Sequence, residues 1–471
     1  MDLILHTILP FVGVIVVLIV IHELGHYITA KMTGVKVLEA GLGYPPRAFG
    51  FTWRDTIYSV NWLPLGGFVR LLGEEDPSDP DSLAAKPRWV RLLVLASGSG
   101  MNFLLPILLF MLVFMIPRDV SVGLTQITSV VKDGPAAEAQ PATIPPELEE
   151  DEAIGLEPGD VITAVNGHET RNPTEVGRQI RLNVGEEITM TVRRTLDTGE
   201  VVLIDYRMQS RWAADDLVYT VQEGDTLSSI SEELGVLPGI IIAAADIETE
   251  LEEGQELVID RGDETIEYTV QKDDFVALVA RRLSVSSDEV REAAGLADPD
   301  EALAPGEEIR IGQGPTGITI GVWNPAFVES ESFPPWEALP KGLNEYGETL
   351  VLFRNEIVSW FKGGSGPGFA GPVGIAQVTG EVVEESGWVS LLELAALLSF
   401  NLGVINILPL PMLDGGRIAF VLLEVARGGR RIAPEKEAIV HFVGLALIIT
   451  MAVVITYFDV VRIVSGDSLF R

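Results

Sequence analysis

The chain has 471 residues, of which 47% are hydrophobic, and its formal net charge is −35 at pH 7. The length indicates more than one domain, and so negative a charge argues against nucleic acid as a partner. The chain contains no cysteine. This excludes disulfide bonds and cysteine-ligated zinc, so a zinc site would have to use histidine, aspartate or glutamate.

The first predicted element is an apolar segment, residues 3–29, that is long enough to span a bilayer as a helix. It lacks the basic start and the small-residue cleavage site of a signal peptide, so we predict a retained transmembrane helix. The segment contains the sequence HELGH. Residues four apart share one face of a helix, so His22 and His26 can bind one Zn²⁺ ion. Glu23 lies beside them and is placed to handle the proton of a water that the metal activates. Ionisable groups inside a bilayer are costly and usually functional, so the pattern predicts a zinc protease site within the membrane.

The next stretch, residues 31–91, is predicted to face the cytoplasm because basic residues lie near both of its ends. Within it, residues 58–70 are rich in β-forming side chains and are interrupted by proline and by Gly66 and Gly67. This composition predicts a β-hairpin that dips toward the membrane.

A second transmembrane helix is predicted over residues 92–116. Near its start lies the sequence GSGMN, residues 98–102, whose small side chains allow close helix packing. The chain that follows is then predicted to be outside the cytoplasm.

Residues 118–212 alternate short predicted strands with turns. The sequences GPAAEA (134–139), GLEPGDVI (155–162) and VNG (165–167) resemble a PDZ domain, in which they mark a helix start, a strand and a turn. The resemblance implies binding of extended peptides by addition to a sheet edge. Residues 312–323 look like the final strand of the same domain. The alternative is a small β-rich exported domain without a ligand.

An internal repeat with a period of about 50 residues follows, and its copies are residues 213–262 and 263–311. Each copy is predicted to form a strand, two helices and a strand. Both copies resemble LysM domains, which implies binding of peptidoglycan or other glycans that contain N-acetylglucosamine. The second copy departs from the pattern, because DDF (273–275) stands where the first has GDT (224–226). The alternative is a fold that serves as a spacer or a protein-docking unit.

The remaining predicted elements are helical. Residues 343–362 predict an amphipathic helix that either lies on the outer membrane face or covers the soluble domain. A third span is predicted over residues 390–427, broken by prolines and glycines, and a fourth over 439–463. Basic residues between them predict a cytoplasmic connection, so both termini and the acidic middle of the chain are predicted to lie outside.

The third zinc ligand has to come from elsewhere in the chain, because a catalytic zinc site usually has three protein ligands. Asp414 is the strongest candidate, since it lies in an apolar segment beside a predicted backbone break. The alternative is a helix-capping or packing carboxylate. Glu393, Glu424 and Asp459 lie nearer the ends of predicted segments, where solvation is expected to account for them. His6 and His441 are expected at the membrane interface, and His168 is expected to be solvated.

Several of these sequences together resemble one family. HELGH, LPLGGFV (63–69), GPVGIA (371–376), NILPLPMLDGG (406–416) and the PDZ-like region are similar to the site-2 protease family of intramembrane zinc metalloproteases, in its regulator-of-sigma-E-protease branch. The resemblance covers residues 1–212 and 312–471 but not the repeats.

This resemblance implies roles for individual residues. His22, His26 and Asp414 would bind Zn²⁺, and Glu23 would be the catalytic acid and base. Asn406, Pro409 and Pro411 would shape a loop that holds the substrate. Apart from the resemblance, Gly66 and Gly67 are predicted to contact the substrate, because an unwound substrate needs the strand-like hydrogen bonds that the β-rich stretch can supply.

The sequence as a whole predicts a multidomain protein in the cell inner (plasma) membrane. Its α-helical protease core, residues 1–117 and 363–471, has four spans, with the active site toward the cytoplasm. The PDZ domain and the α+β LysM-like insertion are predicted to be extracytoplasmic.

The predicted function is cleavage of single-span transmembrane substrates in the lipid bilayer, such as anti-sigma factors or signal-peptide remnants. The PDZ domain would filter substrates, and residues 213–311 would sense cell-wall glycan. The alternative function is a catalytically idle, membrane-anchored glycan sensor.

Overall fold

The computed structural model describes residues 3–74, 76–146, 148, 153–212, 217–245, 247, 251, 254–260, 265–271, 276–283, 285, 287–296, 303–363 and 371–464. Its elements in chain order are α1 (Leu9–Met32), β1 (Val37–Trp53), β2 (Thr56–Leu71), α2 (Arg88–Met115), β3 (Arg118–Val130), β4 (Gln140–Pro141), β5 (Val161–Val165), β6 (His168–Glu169), α3 (Pro173–Leu182), β7 (Glu187–Thr195), β8 (Val201–Gln209), β9 (Leu217–Thr220), α4 (Leu227–Leu234), α5 (Pro238–Ala244), β10 (Glu256–Asp260), β11 (Thr265–Thr269), α6 (Val276–Leu283), α7 (Ser287–Ala294), β12 (Glu308–Ile311), β13 (Ile318–Glu331), α8 (Pro335–Phe361), α9 (Pro372–Ile407), α10 (Asp414–Ala426) and α11 (Pro434–Val464).

The chain divides into two compact units. The first, here called the membrane unit, comprises Met1–Asp119, Ser330–Leu350 and Pro367–Arg471. The second, here called the β-rich unit, comprises Val120–Glu329 and Val351–Gly366.

Among the described residues of the membrane unit, four helical segments are long and apolar enough to cross a membrane: Leu5–Met32, Arg88–Met115, Ser386–Ile407 and Glu435–Ile463. They agree with the number of predicted spans, but the third span is shorter than predicted. It ends at Ile407, and α10 is a separate helix of 13 residues. Prolines lack the N–H that a continuing helix needs, so the NILPLPMLDGG sequence divides the predicted segment into two helices.

Helices α1, α2 and α10 share one buried cluster, to which they contribute Ala30, Val94 and Val421. A buried ionic group also joins α10 to the start of α2. Glu424 is 5% exposed and accepts hydrogen bonds from Arg91 at 2.7 Å and Arg88 at 3.1 Å. Burial raises the pKa of this carboxyl, but the two arginines outweigh burial and lower the pKa of Glu424 below its ordinary value. Solvation therefore does not account for Glu424, contrary to the expectation from its position.

Asp459 is also buried rather than solvated, with 1% exposure. One of its carboxylate oxygens accepts the backbone N–H groups of Gly371 and Gly374, each at 2.9 Å. The two N–H groups lie at the N-terminal end of α9, where unpaired N–H groups and the positive end of the helix dipole favour a carboxylate. Asp459 thus fixes the GPVGIA sequence to the last transmembrane helix.

The β-rich stretch before α2 is a larger structure than the predicted hairpin. Its long strands β1 and β2 pair antiparallel, and Ala40 pairs with both Tyr58 and Val69. The two strands therefore form four sheet segments in the order 47–53, 56–61, 39–42 and 67–71, which places 67–71 at one edge. The prediction that residues 58–70 form a hairpin by themselves was wrong, because these residues pair with β1. We call this structure the β-hairpin sheet.

In the β-rich unit, a seven-stranded sheet has the order β13-β3-β5-β7-β8-β4, with β6 paired to β5. Helix α3 buries Val176 and Ile180 in the core of this sheet. The GPAAEA sequence forms turns instead of the expected helix start. Its backbone is used in tertiary hydrogen bonds, since the Ala136 N–H donates to Thr316 O at 3.0 Å and its carbonyl accepts from Leu156 at 2.9 Å.

The repeat region contains the predicted strands and helices, but the strands pair across the copies. The first strand, β9, pairs with the last, β12, whereas β10 pairs with β11. The core beneath β9 and β12 contains Ile230 and Ile241 of α4 and α5, and the other core contains Val279 and Val290 of α6 and α7. The packed units therefore do not follow the predicted boundaries 213–262 and 263–311. The departing DDF sequence, 273–275, lies outside the described residues.

Helix α8 begins at Pro335, before the predicted start of the amphipathic helix. Within the β-rich unit, the end of α8 hydrogen-bonds to the backbone of that unit. Asn355 Nδ2 donates to Arg181 O at 2.9 Å, and Ser359 Oγ donates to Trp212 O at 3.0 Å. These contacts favour the alternative in which this part of the helix covers the soluble domain.

Candidate active site

Helix α1 presents the two histidines of HELGH on one face. His22 is 8% exposed and His26 is 9% exposed, and their Nε2 atoms are 3.2 Å apart. The one-turn spacing of the two residues produces this approach directly.

Asp414 joins the two histidines from 388 positions further along the chain. Its Oδ2 atom lies 3.1 Å from the Nε2 atoms of both His22 and His26. Asp414 is the first residue of α10, so the break after α9 is what brings its carboxylate to the imidazoles. His22, His26 and Asp414 form the candidate metal centre.

The turn between α9 and α10 is held by close backbone packing. A Cβ added at Gly415 would lie 2.5 Å from Ile407 C, and one at Gly416 would lie 3.0 Å from Leu410 C, so both glycines are needed for this path. The Met412 N–H donates to His441 Nδ1 at 2.8 Å, and His441 is only 8% exposed. His441 therefore supports the turn before Asp414, while its position at the membrane interface stays a prediction.

The three donor groups fit a catalytic zinc ion. Zinc prefers four tetrahedral ligands at about 2.0–2.1 Å, which places the donor atoms roughly 3.3 Å apart. The donor atoms here are 3.1–3.2 Å apart. A set of two imidazoles and one carboxylate also leaves one zinc position for water or substrate.

Helix α2 supplies the groups that orient both imidazoles. His26 Nδ1 lies 2.8 Å from Val94 O, and His22 Nδ1 lies 3.2 Å from the side-chain amide of Asn102. When Nε2 binds a metal, Nδ1 carries the proton. The Val94 carbonyl then accepts a hydrogen bond from the N–H at His26 Nδ1. Asn102 places its Nδ2 atom 3.2 Å from His22 Nδ1, so accepting a hydrogen bond from a protonated His22 Nδ1 requires the opposite amide orientation, with the oxygen toward the ring.

The sequence of this part of α2 indicated close helix packing through its small residues, but not its contacts with the histidines. A Cβ added at Gly98 would lie 2.7 Å from His22 Nε2, so glycine makes room for the imidazoles. Gly98 and Asn102 are one helical turn apart, like His22 and His26. That matching spacing on a second apolar helix was the signal available in the sequence.

Glu23 is held by the edge of the β-hairpin sheet. The Val69 N–H donates to Glu23 Oε2 at 2.8 Å. Gly66 and Gly67 lie where the sheet meets α1, since added Cβ atoms would be 3.0 Å from Ile19 Cδ1 and 3.9 Å from Glu23 Cγ, respectively. The glycines thus allow the strand to approach the helix beside Glu23.

A cavity of about 420 Å³ lies between α1 and the β-hairpin sheet, here called the sheet cavity. Its lining residues are Val20, Glu23, Leu24, Tyr27, Ala40, Gly41, Leu42, Phe49, Phe51, Tyr58, Ser59, Val60, Gly67, Phe68 and Val69. The hydroxyl groups of Tyr27 and Tyr58 are 2.6 Å apart. Burial, with the Tyr27 hydrogen bond, raises the pKa of Tyr58 to about 12, so this hydroxyl stays neutral.

The other candidate residues lie outside this donor set. Asn406 is half-buried in the last turn of α9, and Pro409 is exposed in the turn after it. Pro411 packs against Gly444 of α11. His168 is exposed in β6 as expected, and the partly exposed His6 lies 3.9 Å from Glu384.

Comparison with known proteins gives one family and several relatives. Peptidase family M50 matches residues 10–451 of the chain. A protein from Oceanobacillus iheyensis named zinc metalloprotease RasP is 27% identical, over 97% of this chain and 99% of its own. A putative zinc metalloprotease from Thermotoga maritima is 25% identical over the same shares, and one from Vibrio cholerae is 27% identical over 98% and 99%.

Proposed function

This chain belongs to peptidase family M50, the site-2 protease family, and is a multi-pass membrane zinc metalloprotease; from that premise we propose that it hydrolyses peptide bonds inside the transmembrane segments of single-span proteins. The observation that carries the proposal is the convergence of His22, His26 and Asp414 from two separate helices of the membrane unit. Membership of a metalloprotease family argues against the alternative of a catalytically idle sensor.

We assign the zinc ligands to His22, His26 and Asp414, and the acid–base role to Glu23. Zinc, when bound, polarises the scissile carbonyl and makes a water acidic enough to attack near neutral pH. Glu23 accepts the proton of that water and delivers it to the nitrogen of the leaving amine. The Val69 N–H holds one carboxylate oxygen of Glu23, which orients the other toward the reacting groups.

A transmembrane substrate has to unwind before it is cut, because its helical backbone satisfies all its own hydrogen bonds. The edge segment 67–71 of the β-hairpin sheet offers new partners beside Glu23 by strand addition, apart from the Val69 N–H, which already donates to Glu23. Gly66 and Gly67 keep this edge close to α1. Asn406, Pro409 and Pro411 are proposed to hold the other side of the unwound segment.

Residues 118–212 and 312–323 are proposed to filter substrates outside the cytoplasm as a PDZ domain. Its antiparallel sheet with one capped helix supports this assignment. The basic residues of stretch 31–91 support the placement of the metal centre toward the cytoplasmic side. Single-span regulators such as anti-sigma factors, and signal-peptide remnants, are the proposed substrates.

The function is tested with purified protein and a single-span reporter in the same liposomes. We expect fragments whose new ends, located by mass spectrometry, lie inside the apolar segment of the reporter. Cleavage should stop when zinc is chelated and return when zinc is added. Cuts confined to the polar flanks of the reporter would contradict intramembrane cleavage.

Glycan sensing by residues 213–311 is a second proposal, supported by the two packed helix pairs of the repeat region. Purified full-length protein should sediment with insoluble peptidoglycan, and a variant lacking residues 213–311 should remain in the supernatant. Equal sedimentation of the two proteins would reject glycan binding by the repeats and leave them as a spacer or docking unit.

A further inference from the structure

We propose that the sheet cavity is a specificity subsite that takes one large apolar side chain of the substrate next to the scissile bond. This inference rests on the proposed function, because it concerns the peptide that the metal centre would cleave. It adds a substrate preference and the residues that set it.

The position of the cavity connects it to the reaction. Glu23, the proposed acid and base, is part of the cavity wall, and so are Gly67 and Val69 of the sheet edge. A peptide strand paired along residues 67–71 would point alternate side chains to one face. One such side chain meets the cavity while the backbone beside it lies next to Glu23.

The chemistry of the wall selects apolar side chains. Phe49, Phe51 and Phe68 contribute aromatic rings. The hydroxyl groups in the wall are already engaged, because Tyr27 pairs with Tyr58 at 2.6 Å and Ser59 donates to Glu39 Oε1 at 2.8 Å. A polar side chain entering here would lose its water and find these hydroxyls occupied, which is unfavourable.

The size of the cavity limits what it holds. Its volume of about 420 Å³ lies near the lower end of the roughly 300–1,000 Å³ typical of small-molecule sites. That space fits one large side chain with part of its neighbour and is too small for a helix of several turns. The occupant we infer is therefore one large apolar side chain of an unwound substrate, with part of a neighbouring residue.

The wall contains a residue suited to a test. The ring of Phe51 stacks on Tyr58 with 5.3 Å between ring centroids, and Phe51 is 55% exposed. Phe51→Ala therefore widens the cavity with little loss of buried packing. Val60, which is 46% exposed and also lines the cavity, can be changed to Phe to narrow it. Trp62→Ala is the matched control, because Trp62 is a 71% exposed aromatic residue of the same strand outside the lining.

The experiment measures kcat/KM in liposomes for reporters that differ at one position beside the mapped cut, with Ala, Leu, Phe, Trp or Asp. For the unaltered protein, we expect the Ala reporter to be cut at least about 10-fold more slowly than the Leu reporter, since apolar subsites discriminate by roughly 10–200-fold. The Asp reporter should be cut more slowly still. Phe51→Ala should move the preference toward Trp, Val60→Phe should move it toward Ala, and Trp62→Ala should keep the original order.

The outcomes separate the subsite from the function. If the unaltered protein cuts the reporters but all three variants keep its order of preference, the subsite is wrong and the proposed function stands. The same conclusion follows if a lipid acyl chain fills the cavity and the reporters do not compete for it. If no reporter is cut by any of the proteins, the proposed function fails and the subsite fails with it.

Discussion

Glu23→Gln is expected to reduce cleavage of a single-span reporter by about 10²–10⁴-fold, the usual contribution of a general acid–base group. Glutamine keeps the size of the side chain and a carbonyl oxygen for the Val69 N–H, which donates to Glu23 at 2.8 Å. It cannot accept the proton of the attacking water. The substitution therefore removes the proton transfer and leaves the contact that positions the side chain.

This prediction is measured as kcat/KM in liposomes together with zinc content by elemental analysis. Zinc content should equal that of the unaltered protein, because Glu23 is not among the proposed ligands. Glu384→Gln is a suitable control, since the Glu384 side chain in the same unit is 60% exposed. Unchanged cleavage by Glu23→Gln would reject the acid–base role. Loss of zinc would instead place Glu23 in the metal-binding set.

Helix α2 links the two halves of the split site. Through Val94 and Asn102 it contacts the histidines of α1. Through Arg88 and Arg91 it holds Glu424 of α10, the helix that begins at Asp414. Removing either the carboxylate or its arginine partners would leave an uncompensated buried charge, which strongly destabilises a protein. The relative position of imidazoles and carboxylate is thus set by α2, although α2 contributes no proposed ligand.

The sequence was sufficient for the parts of the site that depend on local spacing. His22 and His26 are one turn apart in any regular helix, and Asp414 lies beside a proline-rich break, so the histidine pair and the carboxylate could both be recognised from the sequence alone. The number of long apolar helices was likewise readable, because bilayer thickness fixes their length. The structure brings these three side chains together, and their role as zinc ligands stays a prediction.

Other features depend on which segments meet, and spacing within one segment does not carry that information. Asp459 has the sequence context of a residue at a helix end, yet it is buried because the start of α9 lies against it. His441 supports the turn at Met412, which is 29 positions away. In the repeats, each copy has the same strand pattern, so either pairing satisfies the local sequence. Only the tertiary arrangement joins β9 to β12.

Asp414→Ala is expected to lower zinc affinity by more than roughly 100-fold. Loss of a residue that only hydrogen-bonds to a metal ligand typically lowers metal affinity by roughly 10–100-fold, and this substitution removes a proposed ligand itself. The substitution removes the carboxylate oxygen that lies 3.1 Å from both Nε2 atoms and leaves two imidazoles. Two imidazoles are one ligand short of the three that catalytic zinc sites generally use. Since alanine is compatible with a helix and Gly415 and Gly416 still form the turn, we expect the helices around the site to persist.

The measurement is zinc per protein after dialysis against buffers of fixed free zinc, with circular dichroism to verify helix content. Glu393→Ala is the matched control. Glu393 is a carboxylate of the third candidate span whose partner is Arg118, at 3.3 Å, and it is not in the donor set. We expect the control to bind zinc like the unaltered protein and Asp414→Ala to lose it at free zinc concentrations that saturate the control. If both variants hold the same zinc, Asp414 is not a ligand, and its place beside the histidines reflects only packing of the start of α10.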